Sequence, residues 1–181
     1  MLLLKGELGA TVKDVNGIEI RRIAPQRCHS LLKAFIQLIM AQTSDTQQTV
    51  KKVDGTNQIV DGNSYNLRCN AGILTAYGLV IGSGEVNAVA MDDYKLENQM
   101  TANIGHQPPV FALENPDVAT WQVKISRGFQ NNTGATVNVK EVGLYTYVGG
   151  SHECCIDRTL YDVSFDNNET LTLSYVFSIA L

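Results

Sequence analysis

The strongest constraint on what this chain can fold into is its last stretch. From Thr170 to Leu181 the residues alternate without exception: Leu171, Leu173, Tyr175, Phe177, Ile179 and Leu181 against Thr170, Thr172, Ser174, Val176, Ser178 and Ala180. Successive side chains of a strand point to opposite faces, so this period of two predicts one long strand with one buried face. A lone strand is not stable in water and needs several partners. The chain supplies them as short runs punctuated by turn residues. Ser64–Asn70 and Ala76–Ile81 are ended by glycines, and Val110–Leu113 follows Pro108-Pro109. Trp121, Val123, Ile125 and Phe129 alternate with polar residues, which predicts a core position for Trp121. Asn131-Asn132-Thr133-Gly134 reads as a turn before Thr136–Tyr147. Many strands with one helix predict a mainly β chain, a β-sandwich or jelly-roll-like antiparallel domain.

Ahead of these runs the pattern changes twice. Thr11–Arg22 is a hairpin signal, with Asn16-Gly17 supplying the positive-φ pair of a tight turn. Its runs carry too few apolar residues for a core of their own, so residues 1–27 are expected to be an arm that packs on something else, ending at Pro25. Ser30 then reads as the N-cap of a helix over Leu31–Gln42. Its polar stripe is only Lys33 and Gln37, while Leu31, Leu32, Phe35, Ile36, Leu38, Ile39 and Met40 cover the rest. A helix apolar nearly all round must be covered on more than one side. In a mainly β chain of 181 residues the second side is expected to meet a neighbouring molecule. The expected organisation is an arm over 1–27, an apolar helix within 28–44 and a β body over 45–181. Within 45–62, Thr49–Val53 and Gln58–Val60 are short-strand candidates around Asp54-Gly55.

The formal charge of −4 is uneven. Residues 1–68 carry nine Lys/Arg against six Asp/Glu, and residues 69–181 carry five against twelve. An acidic chain is a poor wrapper of nucleic acid, which needs clustered cations. The three leucines before Lys5 are too short for a secretory leader, and no apolar run reaches membrane-spanning length, so neither is expected. Cys28, Cys69, Cys154 and Cys155 form no C-x-x-C pair, and adjacent cysteines seldom bridge each other. Buried free thiols and a reducing environment are the expectation.

A search for chemistry returns no catalytic set and no cofactor site. Gly82-Ser83-Gly84 lacks the spacing of a nucleophile elbow or a nucleotide loop and reads as a turn. Cys28-His29 and His152-x-Cys154-Cys155 offer ligand atoms at spacings unlike zinc fingers or ribbons, so no metal is expected. Asp92-Asp93 with Glu97, and Asp157 with Asp162, read as exposed acidic loops without calcium-site spacing. One charge stands out: Glu141 sits in an otherwise apolar strand, where a buried carboxylate needs a cation. Arg127 and Arg158 are its candidate partners. Gly143, two residues on, predicts a close approach by another group.

Several segments, taken in order, resemble small structural proteins of tailed-bacteriophage virions. They are Ser30–Phe35, Tyr77–Gly84, Asp92–Glu97, Arg127–Gly134, Lys140–Tyr145, Arg158–Leu160 and the terminal strand Leu171–Leu181. The resemblance covers residues 28–181 and implies a non-enzymatic virion component with a β-sandwich body. It implies assembly in the host cytoplasm, and a place on the capsid surface, at the head or neck, or on the tail. The expected partners are other copies, as a trimer or a ring, and other virion proteins. A receptor- or carbohydrate-binding β-sandwich module is the alternative, which exposed aromatics in a groove would favour.

Overall fold

A computed structural model describes residues 3–28, 32–44, 46–62, 67–69, 72–84, 87–117, 120–148 and 152–180. The chain is mainly β, with antiparallel sheets and one short helix among the described residues. It divides into two compact units, the first of residues 1–28, 101–138 and 163–181, the second of 29–100 and 139–162.

The first unit is organised by the alternating terminal strand. It holds β1 (Leu3–Lys13), β2 (Glu19–Arg27), β6 (Ile104–His106), β7 (Val110–Asp117), β8 (Thr120–Asn131) and β11 (Thr170–Ala180). The order is β2-β1-β11-β8-β6, with β7 also on β8. Strand β11 pairs antiparallel along its whole length with β1 on one side and β8 on the other. Residues 3–27 thus hold two strands of this sheet, joined through the turn at Asn16-Gly17. Asp14 Oδ1 accepts from the Asn16 and Ile18 amides at 2.9 and 2.8 Å. Gly17 has φ 79°, but Asn16 does not have positive φ, so the expected positive-φ pair is corrected to a single glycine, with the Asp14 carboxylate holding the turn.

Pro25 does not end the hairpin as expected. It sits inside β2, where the register slips between Leu8 and Ala10, an edge bulge that needs no N–H from it. The core of this unit comes from alternate positions: Leu8, Ala10 and Val12 on β1, Ile125 and Phe129 on β8, and Leu171, Leu173 and Tyr175 on β11. Burial then fades along the same face, since Phe177 is only half-buried and Trp121 is 53% exposed. The expectation that Trp121 is core is therefore corrected. Period two fixes the face a residue occupies and says nothing of how far the cover extends. Leu181 lies outside the described residues.

The second unit is built on β5 (Gly78–Gly82), β9 (Val137–Val148) and β10 (His152–Phe165), in the order β10-β9-β5, together with the hairpin of β3 (Gln48–Lys51) and β4 (Asn57–Val60). Every residue of β5 is buried. Its register on β9 sets Gly78 against Tyr145, Val80 against Gly143 and Gly82 against Glu141.

Helix α1 (Lys33–Ser44) starts and ends two residues later than the sequence suggests. Its first turn is satisfied by distant carbonyls: Leu32 N donates to Ile156 O at 2.9 Å and Lys33 N to Met91 O at 3.0 Å. Gln37 and Gln42 tie the helix to Thr49 O and Gly62 O at 2.8 and 3.0 Å. His29, Ser30 and Leu31 lie outside the described residues, so the N-cap and the first interface candidate go with them. Of the other candidates, Leu32, Phe35 and Leu38 are buried in their own unit, Ile39 is intermediate, and Ile36 and Met40 are exposed. Leu32 packs with Tyr77, Val80, Leu96, Tyr145 and Cys155.

Candidate functional site

Glu141 on β9 is fully buried, in a strand whose neighbours Val139 and Val142 are also buried. A carboxylate in that position must find donors or become neutral. Arg158, on β10, supplies the first, its Nε donating to Glu141 Oε2 at 2.9 Å. The structure thus brings Glu141 and Arg158 together and leaves Arg127 in the first unit. There Arg127 Nε donates to Gln107 O at 3.0 Å, and desolvation pulls the guanidinium down to about 10.

The remaining nitrogens of Arg158 are also used. One donates to Asp93 Oδ2 at 2.8 Å and the other to Glu97 Oε1 at 3.2 Å. Three carboxylates thus surround one guanidinium whose side chain is 3% exposed. Burial works against the charge on Arg158, but its hydrogen bonds to Asp93 and Glu141 outweigh it and hold its pKa above the ordinary arginine value. The cluster sets three carboxyl groups around one guanidinium, and backbone amides supply further donors. Glu141 Oε1 accepts from Asn98 N at 3.0 Å and Gly84 N at 3.3 Å, and Asp93 Oδ2 accepts from Ala90 N at 3.0 Å. Asn87 Nδ2 donates to Glu97 Oε1 at 2.7 Å. Asp92 and Glu97 are exposed, as the sequence suggests, but Asp93 is half-buried and both Asp93 and Glu97 are bound to Arg158.

The glycines explain how backbone comes so close. A Cβ on Gly82 would stand 2.6 Å from Glu141 Oε1, and one on Gly84 would stand 2.5 Å from both Glu141 Oε1 and Glu97 Cβ. Neither is in the positive-φ region, so the requirement is space rather than conformation. Gly143 behaves as anticipated: its Cβ would meet Tyr145 Cε1 at 2.9 Å and Leu96 Cδ2 at 3.0 Å. Tyr145 then reaches the loop, its hydroxyl oxygen accepting from Leu96 N at 2.6 Å. Burial raises the Tyr145 phenol well above its usual range, so it stays neutral.

Chemically the arrangement is a clamp. Residues 83–84 and 87–98 are held on β9 and β10 through Arg158, Glu141 and Tyr145. The guanidinium stands where the three carboxylates converge, leaving them turned onto it. Among the described residues no three His, Cys, Asp or Glu side chains gather as metal ligands would. Cys154 and Cys155 are buried, His152 is intermediate and Cys28 belongs to the first unit. Burial pushes the Cys69 and Cys154 thiols up to about 12 and Cys155 well above its ordinary value, so all three stay protonated at neutral pH. Asp157 is buried and accepts from Thr159 Oγ1 at 2.8 Å, whereas Asp162 is exposed and pairs with Lys140 at 2.8 Å.

Four segments of the second unit meet at this clamp: Tyr77–Gly84, Asp92–Glu97, Lys140–Tyr145 and Arg158–Leu160. Among the described residues no helix is long and apolar enough to cross a membrane. No family of known proteins, no curated protein and no solved structure gives a match to this chain.

Proposed function

We propose that this chain is a non-enzymatic structural component of a tailed-phage virion, a capsid-surface decoration or head- or neck-associated protein that works through contacts between subunits. The observation that carries the reading is the convergence on Arg158. Segments scattered over some eighty residues, and singled out by their likeness to phage structural proteins, meet at one buried cluster. The cluster's charged groups are spent on holding backbone in place, which suits a chain that serves as a rigid subunit of a shell. The exposed Ile36 and Met40 on α1 support contact with neighbours, as does the apolar end of the β8 face. A sandwich or jelly-roll-like body belongs to the same reading, supported by the antiparallel sheets with one alternating buried face. The assembly site is the host cytoplasm, where buried thiols stay reduced.

The test is direct. Antibodies raised against the purified chain should label particles assembled from the genome that encodes it, at regular positions on the head or neck. Mass spectrometry of those particles should return the chain in many copies. Particles free of the chain would refute the reading, and labelling confined to the tail tip with binding to host glycans would favour the receptor-binding alternative.

A further inference from the structure

The first unit carries an apolar surface that its own core does not use. In the β7–β8 register Phe111 stands against Ile125 and Leu113 against Val123. In the β8–β11 register Val123 stands against Phe177 and Trp121 against Ile179. Directly paired residues share a face, so these positions form one stripe continuous with the buried Ile125 and Tyr175. Beyond Ile125 the stripe is bare: Phe111 is 42% exposed, Leu113 69%, Trp121 53% and Val123 41%. The opposite face of the same strands is mixed, with Gln122, Lys124 and Ser126 on β8 and Glu114 bonded to Gln122 and Lys124, beside the exposed Val110.

We infer that this stripe packs against the same stripe of a second copy of the chain. The proposal rests on the reading of the protein as a subunit that works through self-contacts, and it names the surface. Two observations select a second copy as the occupant. The first is area. The four exposures amount to about two whole side chains, on the order of 400 Å² at ~200 Å² each. A standard interface buries about 800 Å² per partner, of which roughly 60% is apolar, so one stripe supplies most of the apolar share. The second is charge. A symmetric self-contact sets each charge of the patch near its own copy, so a patch without charges adds no short-range repulsion to the formal charge of −4. Phe111, Leu113, Trp121, Val123 and Phe177 provide one with no ionisable group among them. Two such stripes face to face extend the layer already formed by Ile125 and Tyr175, at the ~10 Å spacing of packed sheets.

Trp121 is the chain's single tryptophan, so the contact has a built-in reporter. Light scattering after size exclusion and acrylamide quenching of Trp121 are followed together from about 1 µM to about 1 mM. The expected result is a mass that rises to twice the chain mass or more, with a blue shift and at least a twofold loss of quenching over the same range. Leu113→Lys, at a site already 69% exposed, should hold the monomer mass and the quenchable Trp121 while keeping the far-ultraviolet dichroism of the wild type. Phe111→Glu provides a second, independent substitution. An assembly that forms with Trp121 still fully quenchable overturns this contact and leaves the subunit reading standing. A monomer with quenchable Trp121 at every concentration overturns both. A monomer with shielded Trp121 shows the stripe covered by its own chain and also overturns the inference.

Discussion

Replacing Arg158 with methionine should be the most damaging single change in the second unit, and the structure says how damaging. The side chain is 3% exposed and holds three carboxylates at 2.8 to 3.2 Å. Asp93 and Glu97 keep 24% and 28% of their side-chain surface in water, so they can turn outward and recover hydration. Glu141 is wholly buried and cannot. The loss is therefore that of one buried pair broken from one side, about 3–5 kcal/mol, or roughly two to four orders of magnitude in the folding equilibrium. Urea denaturation followed by far-ultraviolet dichroism measures it. Trypsin adds a readout specific to the clamp. Lys95 is exposed, but the bond after it leads to Leu96, which is buried and donates its N–H to Tyr145. Cleavage there should be slow in the wild type and at least tenfold faster in Arg158→Met. Arg158→Lys should fall between, because an ammonium cannot serve three carboxylates from one plane. The double variant Arg158→Met with Glu141→Leu should recover part of the loss, since it leaves no buried charge, although the Gly84 and Asn98 amides then lack their acceptor. An Arg158→Met protein within about 1 kcal/mol of the wild type, with Lys95 still protected, would refute the clamp.

Gly84→Ala should cost about 1–3 kcal/mol through crowding of the Glu141 carboxylate, read as a lowered urea midpoint. Tyr145→Phe should cost about 1–3 kcal/mol by orphaning the Leu96 amide, with hydrogen exchange at Leu96 accelerated ahead of its neighbours. Alkali should destabilise the fold from about pH 9 upward. The unfolded thiols lose their protons near 9.0, whereas Cys69 and Cys154 keep theirs to about 12, so the unfolded chain binds fewer protons in that window. Stability is full below pH 9 and falls by about 1.4 kcal/mol per pH unit for each such thiol. Urea midpoints at pH 8, 9 and 10 check this, Cys154→Ala should flatten the slope by one thiol's share, and midpoints constant through pH 10 would contradict it.

What the sequence made legible follows the range of the interaction. The alternation of β11, the Asn16-Gly17 and Asp54-Gly55 turns and the short β3 and β4 strands are local matters, decided by residues within a few positions of one another. The extent of burial is not local. Trp121 and Ile125 have the same parity on β8 and differ only in whether another layer reaches over them. A sequence period gives both residues of such a pair equal claim to the core.

The clamp shows where a sequence stops specifying a partner. A charge inside an apolar strand announces that it must be paired, which is why Glu141 could be singled out. It does not announce the pairing. Arg127 and Arg158 are both nearly unexposed and both lie on strands, so nothing near either one marks it as the partner of Glu141. They are solved differently by what surrounds them. Arg127 gives its Nε to a backbone carbonyl and has its charge weakened by desolvation, whereas Arg158 is surrounded by carboxylates and has its charge reinforced. The deciding groups are Asp93 and Glu97, some sixty residues away in a stretch with no hydrophobic period to place it. Gly82 and Gly84 carry the one local trace of the arrangement. They were open to reading as a turn because a glycine needed for space and a glycine needed for its φ are the same letter. The distinction lies in what stands opposite, and here that is the Glu141 carboxylate, less than 3 Å from where either side chain would begin.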